Sequence, residues 1–287
     1  IIGAVSAANP TYTLVDTLDG GAGTDTLNLT LAANSDAVSV NNVEKIILRA
    51  SAAATFDGSG VTGATDITST NSTADLTLTA APLASALGMT TTGTSDLFAG
   101  YRTGDVTGAN DISTLKLNGV ASSAAANGRF LTDNIETISI TSTGVKSKLG
   151  ALVSDNDGVA ATTTGASTLA TVNVAGDAEL TVTTALNATV KTIDASEMTA
   201  GGVNLGITTG AEVTVTGSDG DDEFSFLGAG NLTAKDVVDG GDGVDRLIID
   251  ENDLASTQWA KVTNFEAIEA QDSGTTKAIT IDASLSG

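Results

Sequence analysis

Gly217-Ser218-Asp219-Gly220-Asp221-Asp222-Glu223-Phe224-Ser225 and Gly240-Gly241-Asp242-Gly243-Val244-Asp245-Arg246-Leu247-Ile248 decide how the rest of the chain reads. Both fit the nine-residue pattern G-G-x-G-x-D-x-U-x, with U large and apolar, and the first departs from it only at Ser218. Glycines permit a turn too tight for a Cβ and let carbonyls point inward. The Asp in sixth place brings a carboxylate, and the apolar residue two places on enters a short strand and faces the core. Carbonyls and carboxylates together form the oxygen shell that a hard cation such as Ca2+ prefers.

Charge patterning agrees. Asp219, Asp221, Asp222 and Glu223 are four acids within five residues, with no Lys or Arg among them. Like charges ~6 Å apart repel by roughly 0.7 kcal/mol per pair even in water, and a bound cation reverses that sign. A plain acidic surface turn explains one such copy as well as a cation site does; two copies favour the cation.

The spacing predicts a coil. Two nine-residue units make a full turn of 18, whereas Gly217 to Gly240 is 23. The excess falls in Leu227-Gly228-Ala229-Gly230-Asn231-Leu232-Thr233-Ala234-Lys235, at the opposite corner. Strand 223–226 then runs out and 236–239 runs back. Asp222 and Asp245 fall on one edge, one rung of about 4.8 Å apart. The predicted metal set is the carboxylates of Asp222 and Asp245 with carbonyls of Gly217, Asp219, Gly240 and Asp242. Asp221, Gly220 and Gly243 complete the two turns.

Repetition extends outward. Asp16-Thr17-Leu18-Asp19-Gly20-Gly21-Ala22-Gly23-Thr24-Asp25-Thr26-Leu27 aligns without a gap on residues 236–247, at an offset of 220. Asp25, with Gly20, is therefore the surviving half of an equivalent site. An Asn-apolar-Glu element follows each copy, Asn42-Val43-Glu44 and Asn264-Phe265-Glu266. A third copy, with a decayed glycine turn at Gly108-Ala109-Asn110-Asp111, leads to Asn134-Ile135-Glu136. The three Glu residues read either as further ligands or lattice contacts, or as structural carboxylates bonded to backbone amides. A smaller repeat links Ile193-Asp194-Ala195-Ser196 to Ile281-Asp282-Ala283-Ser284.

Between these elements, alternating runs predict half-buried strands: residues 26–31, 76–79, 114–117, 137–140, 170–174, 180–182 and 213–215. Ala121 to Ala126 is the best helical candidate, and it is short. Short strands separated by glycine corners predict an all-β stack of rungs around a thin aliphatic column. A β-sandwich is the structural rival, but it leaves the duplication through the glycine turn unexplained. Three units follow from the repeats: 1–103 with one half-site, 104–212 degenerate, and 213–287 with both complete turns.

Composition removes several functions. There is no His and no Cys, so Ser-His-Asp catalysis, ordinary zinc sites and disulfides are excluded. A net charge of -23 argues against nucleic acid and for cations. No apolar run reaches the ~18 residues of a membrane helix, so membrane insertion is not expected. The chain starts at Ile1 without Met or a basic leader and reads as a processed form or a fragment. Asp57 in Asp57-Gly58-Ser59 reads as a turn ligand or as a simple Asx turn. Trp259 reads as packing. Arg49, Arg102, Arg129 and Arg246 are scattered, and no carboxylate pair is marked as acid and base, so no enzyme is expected; a polysaccharide-active β-helix is the enzymatic alternative.

The two complete turns, residues 18–27 and the Asn-apolar-Glu elements resemble the RTX (repeats-in-toxin) calcium-binding family. More closely they resemble its surface-layer (S-layer) members in Gram-negative bacteria, of the Caulobacter type. That resemblance implies a right-handed parallel β-solenoid (β-helix or β-roll) with glycine-rich calcium-binding turns. It also implies type I secretion, folding triggered by Ca2+ outside the cell, and self-assembly into a lattice on the extracellular cell surface. Self is then the main partner, with cell-surface polysaccharide engaged through regions beyond this chain. An extracellular adhesin or biofilm-matrix filament is the alternative in the same family. The long uninterrupted arrays of the family are absent, and residues 284–287 carry no visible secretion signal.

Overall fold

A computed structural model describes residues 2–5, 11–158, 163–208, 212–253, 258–272 and 275–277. The copy at Ile281-Asp282-Ala283-Ser284 lies outside the described residues. The chain winds into a parallel β-solenoid of about 11 turns. One wall is a 12-stranded sheet from Ile2–Val5 to Val262–Thr263. It is unbroken where the repeats suggested unit boundaries, because Leu87 pairs with Leu115 and Thr192 with Thr214 across them. Sheets of three, five and seven strands form the remaining walls. Among the described strands the single antiparallel pair is Ala267–Asp272 with Thr275–Lys277, so the sandwich is excluded.

Alternation in the sequence becomes alternation in burial. Thr26–Leu31 buries Leu27, Leu29 and Leu31 and turns Thr26, Asn28 and Thr30 outward. Parallel register then stacks like on like: Leu27, Ile46, Ile67, Leu87, Leu115, Ile140 and Val174 form one column, all 2% exposed or less. Each such side chain contributes roughly 1.5–3 kcal/mol on burial. The core is aliphatic as expected, and all six phenylalanines are buried.

Rung length is less regular than the repeat suggests. One step is 19 residues from Leu27 to Ile46, and another is 34 from Ile138 to Val172. Ala121 to Ala126 forms a turn and no helix: the Asn127 side chain accepts the amides of Ser123 and Ala124, diverting donors that a helix would use.

Each Asn of the Asn-apolar-Glu elements sits in the left-handed region: Asn42 at φ 50°, Asn134 at 54° and Asn264 at 57°. Asn tolerates that region and β-branched residues do not. The apolar residue that follows, Val43, Ile135 or Phe265, then drops into the core. We expect Asn264→Val to cost about 2 kcal/mol in urea unfolding and Asn264→Gly less than 1. Equal costs would show that the backbone angle is not what selects Asn.

Candidate metal centre

The two complete turns lie where the spacing placed them. Glu223 pairs with Arg246 and Phe224 with Leu247 in parallel register, so Asp222 and Asp245 occupy one edge, one rung apart. The outgoing strand is Glu223–Phe226, the returning strand is Val237–Gly241, and the extra residues form the loop between them.

Asp222 is 2% exposed. Its Oδ1 accepts the Val203 amide at 2.6 Å, its Oδ2 accepts the Ser218 amide at 2.7 Å, and the Ser218 hydroxyl lies 2.9 and 3.0 Å from the two oxygens. The one departure from the nine-residue pattern therefore supplies a donor. The Asp222 amide in turn donates to Asp245 Oδ1 at 2.8 Å, and the Asp245 amide to Glu266 Oε2 at 2.7 Å. A ladder of carboxylates thus climbs this edge, each one capping the amide of the rung before it.

The other oxygen of Asp245, Oδ2, is buried and has no hydrogen-bond partner. Burial first, then the charges of Asp222, Glu266 and Asp221, push the Asp245 carboxyl up to about 7, against the lowering effect of the Asp222 amide. Burial also raises Asp222, partly offset by its amide bonds. Asp219, Asp221, Asp242 and Gly243 stand exposed on the corner, and Gly220 is buried. The four-acid cluster is less bare than its sequence implies, because Arg246 from the next rung pairs with Glu223 at 2.9 Å and also reaches Glu269.

Gly217 and Gly240 serve an approach between rungs. A Cβ on Gly217 would lie 1.7 Å from the Gly240 carbonyl oxygen, and one on Gly240 would lie 1.8 Å from that of Asn264. Gly20 repeats this against Asn42, at 1.9 Å.

The 220-residue duplication holds bond for bond. Asn42 Nδ2 donates to Asp19 as Asn264 Nδ2 does to Asp239. The Asp25 amide donates to Glu44 Oε2 at 2.8 Å, matching Asp245 and Glu266. Asp25 Oδ2, like Asp245 Oδ2, is buried without a partner. The third copy keeps the contact from Asp111 to Glu136 at 2.8 Å. All three Glu carboxylates are therefore structural amide acceptors. The copies sit on different edges, however. Asp25 and Asp111 precede strands of the 12-stranded sheet, whereas Asp245 precedes Arg246–Asp250 in the seven-stranded sheet.

Asp57 forms an Asx turn through the Ser59 amide, and Trp259 packs against the core with Nε1 bonded to the Asp253 carbonyl. Arg49 and Arg102 donate to backbone carbonyls, while Arg129 pairs with Asp96.

One acidic group escaped the sequence reading. Asp133 and Asp155 are register partners at the ends of Phe130–Asp133 and Leu152–Asp155, and Asp157 lies two residues on. One oxygen from each lies within 4.8 Å of the others. Two carboxylates at that distance repel by about 3 kcal/mol at an effective dielectric near 20. Burial and its acidic neighbours raise Asp133 to about 7. The run Asp155-Asn156-Asp157-Gly158 is the local signal, but its third member is reachable only through the register.

Among the described residues no helix is long and apolar enough to cross a membrane. No protein-family model, curated protein or solved structure matches the chain significantly.

Proposed function

We propose that the chain is a structural segment of an extracellular, calcium-stabilised solenoid that assembles with copies of itself into a surface layer. The observation that carries this reading is Asp245 Oδ2. It is a buried carboxylate oxygen without a partner, in a glycine turn, one rung above Asp222, and Asp25 repeats it. Buried unpaired charge is costly, and a hard cation offsets that cost with oxygen ligands already in place. Asp222 gives the ion a neighbouring charge while its own oxygens hold the corner together. Support for a structural role comes from the arginines, each of which is engaged by the scaffold.

Asp245→Asn is the informative variant, because an amide oxygen still accepts the Asp222 amide. With Ca2+ at about 100 Kd, the wild-type chain should gain about 2.7 kcal/mol, or roughly 5–10 °C in Tm. Asp245→Asn should lose most of that gain. An equal calcium response in both proteins would remove Asp245 as a ligand.

The pH dependence has a definite sign. In chelator the folded protein holds the Asp245 proton more tightly than the unfolded chain, since the carboxyl moves from 3.8 to about 7. That contribution to stability is full below the unfolded value and is lost as pH rises through about 7. The Tm in chelator should therefore fall by roughly 5 °C or more between pH 4 and 8. Asp245→Asn should shrink the fall; Asp133 and Asp222, raised with the same sign, sustain the remainder. Electron microscopy of the calcium-loaded protein tests assembly: sheets support the surface layer, and single fibres would replace it with the adhesin or matrix-filament reading.

A further inference from the structure

The geometry points to a separate cation site at Asp133, Asp155 and Asp157, far in sequence from the glycine turns and suited to a divalent ion of calcium size. Asp133 is 8% and Asp155 2% exposed, and Asp133 Oδ1 and Asp155 Oδ2 have no hydrogen-bond partner. Both belong to carboxylates that cluster with Asp157, one oxygen of each of the three lying within 4.8 Å of the others. An ion bound at 2.3–2.6 Å separates opposing ligands by up to about 5 Å, so one Ca2+ spans the cluster; Mg2+, at about 2.0–2.1 Å, draws its ligands closer. The donors are all oxygen, which selects a hard cation over zinc or copper.

The scaffold keeps the carboxylates together although they repel. Parallel register fixes Asp133 beside Asp155. Asn156 Oδ1 accepts the Ala166 amide at 3.0 Å, and Asp157 Oδ2 accepts the amide and hydroxyl of Thr164. These bonds tie Thr164 and Ala166 to the residues that follow the strand end. Among the described residues no Lys or Arg forms a salt bridge with Asp133 or Asp155. Access exists on both sides. Asp133 lines a pocket of about 360 Å³ with Thr103, Asn134 and Gly158, and Asp155 lines another of about 350 Å³. The site stands whether or not the glycine corners bind an ion.

The rival arrangement is a proton shared between Asp133 and Asp155. Calcium binding at pH 8 by equilibrium dialysis, with hydrogen exchange read over residues 150–158, separates the two. Asp133→Asn is expected to bind one Ca2+ fewer per chain than wild type and to lose calcium-dependent protection of those amides. Asp245→Asn is expected to keep that protection, so failure at the corner and failure here are distinguishable. Wild-type protein without calcium-dependent protection over 150–158 would overturn the site. So would Asp133→Asn binding the same number of ions.

Discussion

Gly217→Ala should unfold the corner from which the fold was read. The new methyl would lie 1.7 Å from the Gly240 carbonyl oxygen and 2.6 Å from Asp222 Oδ2. Neither neighbour can yield cheaply. The carbonyl belongs to the backbone of the next rung, and the carboxylate is held by the amides of Val203 and Ser218. Relief requires moving a whole rung by more than 1 Å, against the parallel bonds from Thr214–Ser218 to Val237–Gly241. We expect a loss on the order of 4 kcal/mol or more, in the range reserved for core overpacking and backbone strain. Gly230→Ala is the control. Unlike Gly217 it has positive φ, at 81°, but nothing lies within 4 Å of its Cβ position, so only the backbone strain of about 1 kcal/mol is expected. Urea unfolding followed by circular dichroism measures both. Similar midpoints would mean that the rungs are looser than their spacing indicates.

Asp222→Ala should be comparably damaging, for an electrostatic reason. The substitution strands the buried amides of Val203 and Ser218 at once, while the Ser218 hydroxyl keeps the Gly201 and Gly220 carbonyls as acceptors. An unsatisfied buried donor costs about 1–3 kcal/mol, so about 3–5 kcal/mol is expected in total. Asp222→Asn should recover only part of this, because its NH2 group must face one of the two amide donors. A fall below 1 kcal/mol in either variant would show that water replaces the carboxylate, and that the corner is open where the structure closes it. Lost calcium binding in Asp222→Ala therefore does not by itself identify a ligand, whereas Asp245→Asn separates ligation from folding.

The readability of the sequence followed the range of the interactions. Glycine spacing and the apolar alternation are local, so the strands, the corners and the pairing of Asp222 with Asp245 followed from residue numbers. The bond from each Glu to the preceding rung could be read as one of two alternatives because it recurs in register. Glu223 and Arg246 share the 23-residue register of Asp222 and Asp245, and their pairing was within reach of the same spacing. Lateral neighbours away from the glycine corners were not readable: Asp133 meets Asp155 through a step of 22, within a chain whose steps run from 19 to 34. No periodicity predicts a register when the step itself varies. The same limit hid the fact that the duplicated corner sits on a different edge at its two ends.

The unbroken 12-stranded wall carries a consequence for cooperativity. Each rung bonds only to the rungs above and below it, so stability behaves as a line of nearest-neighbour couplings with no shared centre. A mutation at one rung then does not spread its cost over the whole molecule. It weakens one link and allows the two flanking blocks to melt at separate temperatures. Gly217→Ala should convert a single calorimetric peak into two, with the break near Thr214–Ser218.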